Sequence, residues 1–211
     1  MELIELTEST YEECIERTCQ SVLAGELIAF PTDTVYGLGG MAFSRKVLDR
    51  LMTVKPDRSS KPTAILIESM IRLSQFGGEV PGPKIVHLAE TYWPGPLTLV
   101  WHVSKAVPEE FHGKDRSLGY RIPNYEFILE VMRRTARPLW ATSANLAGKP
   151  PPRLFGELDP VVIEACDLVV KTKALLGGKA STVVDVRGKQ PLVVREGAVM
   201  ESDIEKIWKK G

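Results

Sequence analysis

The chain has 211 residues, 44% hydrophobic and 26% charged, an ordinary globular composition that excludes wholesale disorder, collagen and coiled coil. Lysine plus arginine and aspartate plus glutamate number 27 each, so no global basic field marks a nucleic-acid binder, and any polyanion site must be local. No apolar run approaches the ~20 residues of a membrane span, the start Met-Glu-Leu-Ile-Glu lacks a signal-peptide pattern, and Cys14, Cys19 and Cys166 form no CxxC pair, so the expected setting is the cytoplasm, without membrane attachment.

The first predicted element is a helix over residues 9–25. Tyr11, Cys14, Ile15, Thr18, Cys19, Val22 and Leu23 recur at helical spacing, with Ser9 and Glu12 as a capping box and Gly25 as the stop. A short strand over Leu27 to Phe30 ends at Pro31 and runs into a turn dense in hydroxyls and glycine. A helix then starts at Ser44, with Val47, Leu48, Leu51 and Met52 on one face. A run at Thr63 to Ile67 follows, then helices near Ser69 to Phe76 and from Pro83 through Tyr92, and strands at Leu97 to Val103 and Leu118 to Ile122. Asn124 is expected to cap a helix carrying Phe127, Ile128, Val131 and Met132. Beyond it lie a strand Leu139 to Thr142, a proline-rich loop Gly148 to Pro152, a helix Asp159 to Cys166 and an apolar run Leu168 to Val170. Strands Thr182 to Val186 and Leu192 to Val194 precede a helix Ser202 to Trp208. Helices and strands alternate early while strands crowd together late, which predicts an α/β sheet of mixed direction, neither a barrel nor a doubly wound fold. Without repeats or a dividing linker, residues 1–211 are expected to form a single domain.

Four segments could carry chemistry. Pro31-Thr32-Asp33-Thr34-Val35-Tyr36-Gly37 follows a strand, where open α/β sheets bind ligands, and offers neutral donors and acceptors. The residue types alone leave a capped strand-to-helix turn equally open. Lys55, Arg58 and Lys61 put three cations in seven residues, the tools that hold phosphate oxygens, or else a solvated loop. Thr142-Ser143-Ala144-Asn145 ends a strand but lacks the glycines of a nucleophile elbow, so Ser143 reads as a ligand-binding hydroxyl. Gly177-Gly178-Lys179-Ala180-Ser181, with Arg195 beyond the next turn, could cradle an anion without meeting the Walker A spacing. His87, His102 and His112 form neither a triad pattern nor a zinc pattern.

In order along the chain, FPTDTVYGL, the Lys/Arg cluster before a Lys-Pro strand, WPGPLTLV, GYRIPN, TSANLAGKP, STVVDV and VVREGAV resemble the YrdC-like family of threonylcarbamoyl-AMP synthases, from Phe30 to Val199. The resemblance implies a YrdC-like fold, a twisted open mixed sheet with flanking helices around a large central cavity. It also implies an enzyme that joins L-threonine, bicarbonate and ATP into threonylcarbamoyl-AMP and pyrophosphate, with Mg2+ accompanying the triphosphate. The product would serve threonylcarbamoyladenosine formation next to the tRNA anticodon, through downstream threonylcarbamoyl-transfer proteins and a tRNA contact. A length of 211 residues implies the single-domain form of the family.

Carried over by position, Thr34 and Tyr36 would face the threonine and carbamate end. Lys55, Arg58 and Lys61 would hold phosphates, and Ser117 and Arg121 would reach ATP and the amino acid. Ser143 and Asn145 would line the shared pocket, Ser181 would sit by threonine and Arg195 by the nucleotide. The family usually reads K-x-R where this chain reads Lys55-Pro56-Asp57-Arg58, which implies either a loop shifted by one residue or a lost phosphate contact; Arg153 also stands where a small polar residue is common. Two alternatives stay open: a carbamoyl-adenylate-forming relative, as in hydrogenase-maturation carbamoyltransferases, and an RNA-binding module.

Overall fold

The computed structural model describes residues 1–56, 64–113 and 115–210. In chain order the elements are β1 (Glu2–Glu5), α1 (Tyr11–Leu23), β2 (Ile28–Phe30), β3 (Gly37–Met41), α2 (Arg45–Val54), β4 (Ala64–Leu66), α3 (Pro83–Tyr92), β5 (Leu97–His102) and β6 (Ser117–Arg121). They continue with α4 (Glu126–Thr135), β7 (Leu139–Ser143), α5 (Pro160–Ala165), β8 (Leu168–Lys171), β9 (Thr182–Asp185), β10 (Leu192–Arg195) and α6 (Glu201–Trp208). Among the described residues the strands form one ten-stranded sheet in the order β1-β8-β2-β3-β7-β4-β6-β5-β9-β10. The pairs β1/β8, β2/β8, β4/β6 and β5/β9 are parallel and the other pairs antiparallel, so the sheet is mixed as expected. No helix among the described residues is long and apolar enough to cross a membrane.

Helical spacing locates most helices. The expected faces of α2 and α4 are buried at Val47, Leu48 and Leu51, and at Phe127, Ile128, Val131 and Met132. The helices α1 and α4 pack together through an edge-on contact of Tyr11 and Phe127, ring centroids 6.1 Å apart. Ser44 caps α2 by accepting from the Val47 amide, and Asp159 caps α5 by accepting from the Val161 amide.

Four local expectations need correction. The capping box of Ser9 and Glu12 does not form: Thr10 is the N-cap, and its hydroxyl donates to the Glu5 carbonyl, tying the helix start to β1. Asn124 is exposed and α4 begins one residue later, behind Tyr125, without a side-chain cap. Residues 69–76 make two short 3-10 turns, Met70–Arg72 and Ser74–Phe76; with Gly77 and Gly78 behind them there is no length for helix propagation to offset nucleation. The glycine-rich segment after Tyr36 is the central strand β3, where a turn is expected. A Cβ on Gly39 would lie 1.7 Å from the Trp140 carbonyl oxygen, so glycine is what lets β3 and β7 approach. Low strand propensity yields here to interstrand packing.

Strand alternation divides the sheet into a packed face and a hollow one. On β6, Leu118 and Tyr120 are buried, with Tyr120 against Trp101 of β5 at 4.8 Å between centroids, while Ser117, Gly119 and Arg121 face a cavity. One register row crosses five strands as Ala141, Ala64, Gly119, Val100 and Asp185, all on the cavity wall. Three of those five positions are alanine or glycine, and the missing side chains leave the hollow.

Candidate active site

The cavity measures about 760 Å³ and is lined by residues of seven strands and the loops at their ends. Val35, Leu66, Val100, Val183 and Val194 supply its apolar wall. Its polar lining falls into two groups at opposite ends of β6, where Arg121 and Ser117 are four residues apart, about 13 Å along a strand.

The first group centres on Arg121, which is buried. Its Nη2 donates to Asp33 Oδ1 at 2.6 Å, its Nη1 to Thr34 Oγ1 at 3.1 Å, and its Nε to the Gly95 carbonyl at 2.9 Å. Burial pulls the guanidinium below its ordinary pKa and the Asp33 carboxylate opposes that pull. Thr32 shapes the same loop: its hydroxyl donates to the Val35 carbonyl at 2.7 Å and lies 3.1 Å from the Thr34 hydroxyl. The second glycine loop closes against it, with the Gly177 amide donating to Asp33 O and the Gly178 amide to Thr34 O. A Cβ on Gly177 would stand 2.6 Å from that Asp33 oxygen, so the loops meet only because the position is glycine. Ser181 completes the group: its hydroxyl is 2.9 Å from Thr98 Oγ1, and Arg195 Nη2 donates to its carbonyl at 2.7 Å and its hydroxyl at 3.1 Å.

The second group is ionic. Arg187 pairs through two nitrogens with both oxygens of Asp185 and also with Asp115, whose other oxygen accepts from Ser117 Oγ at 2.8 Å. Arg187 holds the Asp185 carboxyl below its usual range, with burial opposing, and holds Asp115 down with help from Ser117. Across the cavity, Ser143 ends β7; the buried Lys55 donates through Nζ to the Ser143 carbonyl and lies 3.5 Å from Thr142 Oγ1.

Of the residues singled out in the sequence, Thr34, Tyr36, Ser117, Arg121, Ser143, Ser181 and Arg195 line one cavity, and Lys55 joins its wall through Ser143. Tyr36 is fully buried and its hydroxyl accepts from the Thr172 amide at 2.9 Å; burial pushes that phenol up to about 12. Asn145 stands outside the lining, where Nδ2 donates to the Leu146 and Lys149 carbonyls and braces the loop after β7. Arg58 and Lys61 lie outside the described residues. Among the described residues none of His87, His102 and His112 lines the cavity.

Sequence reasoning missed Thr98, Asp115, Asp185 and Arg187, and gave Asp33 no role. A signal was available for some. Ser181, Val183, Asp185 and Arg187 alternate, so once Ser181 is a candidate, period two places the other three on its face.

Comparison with known proteins follows the same segments. The family model Sua5_yciO_yrdC, described as telomere recombination, matches residues 20–197. A threonylcarbamoyl-AMP synthase of Pyrococcus abyssi is 32% identical over 205 residues, covering 97% of this chain and 60% of its own length. A putative threonylcarbamoyl-AMP synthase of Methanocaldococcus jannaschii is 26% identical over 199 residues, covering 94% of this chain and 93% of that protein. The crystal structure of P. abyssi Sua5 complexed with L-threonine superposes with a TM-score of 0.88 at 32% identity, over 98% of this chain and 61% of that one. The chain thus spans about 60% of the length of its Pyrococcus relative.

Proposed function

Because this chain belongs to the Sua5/YciO/YrdC family, we propose that it joins L-threonine, bicarbonate and ATP into threonylcarbamoyl-AMP, releasing pyrophosphate. The observation that carries the reading is one cavity whose two polar groups, around Arg121 and around Ser117, stand about 13 Å apart along β6. That span suits an aminoacyl moiety joined to a nucleotide.

The chemistry asks for placement. The threonine amine adds to the carbon of bicarbonate with loss of water, and an oxygen of the resulting carbamate attacks the α-phosphorus as the bond to pyrophosphate breaks. Substrate supplies both nucleophiles, so the protein contributes orientation and charge neutralisation. In this reading Thr34, Tyr36, Arg121, Ser143 and Ser181 form the threonine and bicarbonate side. Lys55, Arg58, Lys61, Ser117 and Asn145 form the nucleotide side, Asn145 through the loop that it braces, and Arg195 would reach the nucleotide from its place on Ser181. Arg121 takes its part largely by holding Thr34 and Asp33. Asp115 and Asp185, the carboxylates of the described cavity lining, are both held by Arg187, and among the described residues no cluster of three ligating side chains exists. In this reading Mg2+ enters with the substrate, as MgATP. The product would pass to transfer proteins that modify tRNA beside the anticodon. The setting is the cytoplasm, where these reactants meet.

Pyrophosphate release from ATP, measured with each of L-threonine and bicarbonate present or omitted, tests the reading. Release is expected only with both together, and equal release with glycine in place of threonine would rule the assignment out. Glycine lacks the hydroxyl for which buried polar groups here would be left unpaired, a loss of about 1–3 kcal/mol per group.

A further inference from the structure

Asp33 touches the rest of the site in two ways at once. Its carboxylate accepts from Arg121 Nη2 at 2.6 Å, with the two side chains 13% and 8% exposed. Its backbone carbonyl accepts from the Gly177 amide at 3.2 Å. Arg121 in turn reaches Gly95 O and Thr34 Oγ1. Through its carboxylate on Arg121 and its carbonyl on Gly177, Asp33 thus links the loop between β2 and β3 to the loops that lead into β5 and β9, beside the Thr34, Thr98 and Ser181 hydroxyls.

The pair also sets the local charge. Arg121 is protonated at any working pH, so without Asp33 this end of the cavity would carry an uncompensated buried cation. With Asp33 that charge is cancelled, and Arg195 on Ser181 is a second cation of this end, so the pair lowers the positive charge that a ligand meets. A net anion of the same shape as the amino acid gains less there than it would without Asp33, whereas a zwitterion, neutral overall, is affected less.

Resting on the threonine reading above, we infer that Asp33 is a positioning residue: it fixes the Arg121 guanidinium and the Thr34 hydroxyl, and it tunes the amino-acid end toward a zwitterion over a carboxylate of equal size lacking the amine. Asp33 itself need touch no reacting atom.

The experiment compares the parent protein with Asp33→Asn and Asp33→Glu. It reads KM for L-threonine, KM for ATP, melting temperature, and the inhibition constant of 2,3-dihydroxybutanoate, which replaces the threonine amine with a hydroxyl and so carries a net negative charge. Asp33→Asn is expected to raise KM for threonine at least tenfold and leave KM for ATP within twofold. It should also bind the anionic analogue as tightly as the parent or tighter, so that the preference for threonine shrinks. Asp33→Glu keeps the charge one methylene away and is expected to recover at least a third of that loss. Equal rises in both KM values, or an unchanged threonine KM in Asp33→Asn, would overturn the inference. Should Asp33→Asn not fold, Asp33→Glu decides: its threonine KM must rise by at least twofold with KM for ATP unchanged, and parent-like values refute the role. A parent protein without threonine-dependent pyrophosphate release points to failure of the underlying functional reading instead.

Discussion

Ser143 is the residue on which a nucleophilic and a positioning account divide most sharply. It ends β7 on the cavity wall, its carbonyl holds Lys55, and among the described residues no histidine lines the cavity to serve as its base. Ser143→Ala is therefore expected to reduce kcat/KM by about tenfold at most, the roughly 0.5–1.5 kcal/mol of one neutral hydrogen bond. Steady-state pyrophosphate release measures it, and a covalent adduct on Ser143 seen by intact-mass analysis during turnover would contradict it. The residue is legible in the sequence because a hydroxyl at a strand end is a known place for ligand contact, whatever its chemistry. Thr98 and Arg187 are not legible by that rule, since a strand-borne threonine or an arginine past a strand end looks the same whether it meets solvent, core or cavity. Their role depends on which face of the sheet is left hollow, and that is decided by Ala64, Gly119 and Ala141 on other strands. Tyr36 has a second partner that its motif does not disclose. The motif marks it as a ligand contact and it lines the cavity, and its hydroxyl also accepts from the Thr172 amide, a residue 136 positions away.

At the level of elements, β3 is the informative failure. A segment with glycine at three of five positions reads as a turn by every local preference, yet it occupies the middle of the sheet between β2 and β7. Gly39→Ala would place a methyl 1.7 Å from the Trp140 carbonyl oxygen, and backbone on a neighbouring strand cannot rotate away. The substitution is expected to cost about 3 kcal/mol or more, at the upper end of overpacking, and to lower the melting temperature by roughly 6–12 °C for a domain of this size. Thermal denaturation followed by circular dichroism checks it, and a melting temperature within 2 °C of the parent would show that β3 and β7 can part freely. Helices with a buried stripe, such as α2, α3 and α4, are legible to within a residue or two because one face repeats every 3.6 residues. Their caps are less so. A cap is a choice among neighbouring hydroxyls made by the preceding chain, as when β1 offers the Glu5 carbonyl to Thr10.

For the whole molecule the mixed α/β class follows from the changing rhythm of strands and helices, but the order of strands does not, because it is set by contacts between distant segments. The strand β8 enters between β1 and β2, pairing with both in parallel, and near its start Asp167 accepts from the Leu27 amide across 140 residues of chain. Arg50 secures the same aspartate from α2. Closing such a separation is slow, so the pairing of β8 with β1 and β2 is expected to form late in refolding, leaving its slot open meanwhile. The slot is four residues long at most, and β8 of a second copy fits it as well as the chain's own. Refolding at high protein concentration is therefore expected to yield domain-swapped dimers that exchange β8, while dilute refolding yields monomers, a difference that size-exclusion chromatography separates. Mixed dimers in which a single intact cavity is rebuilt from two cavity-defective partners would follow only if the crossover loop also exchanges β9, because Ser181, Asp185 and Arg187 travel with that strand.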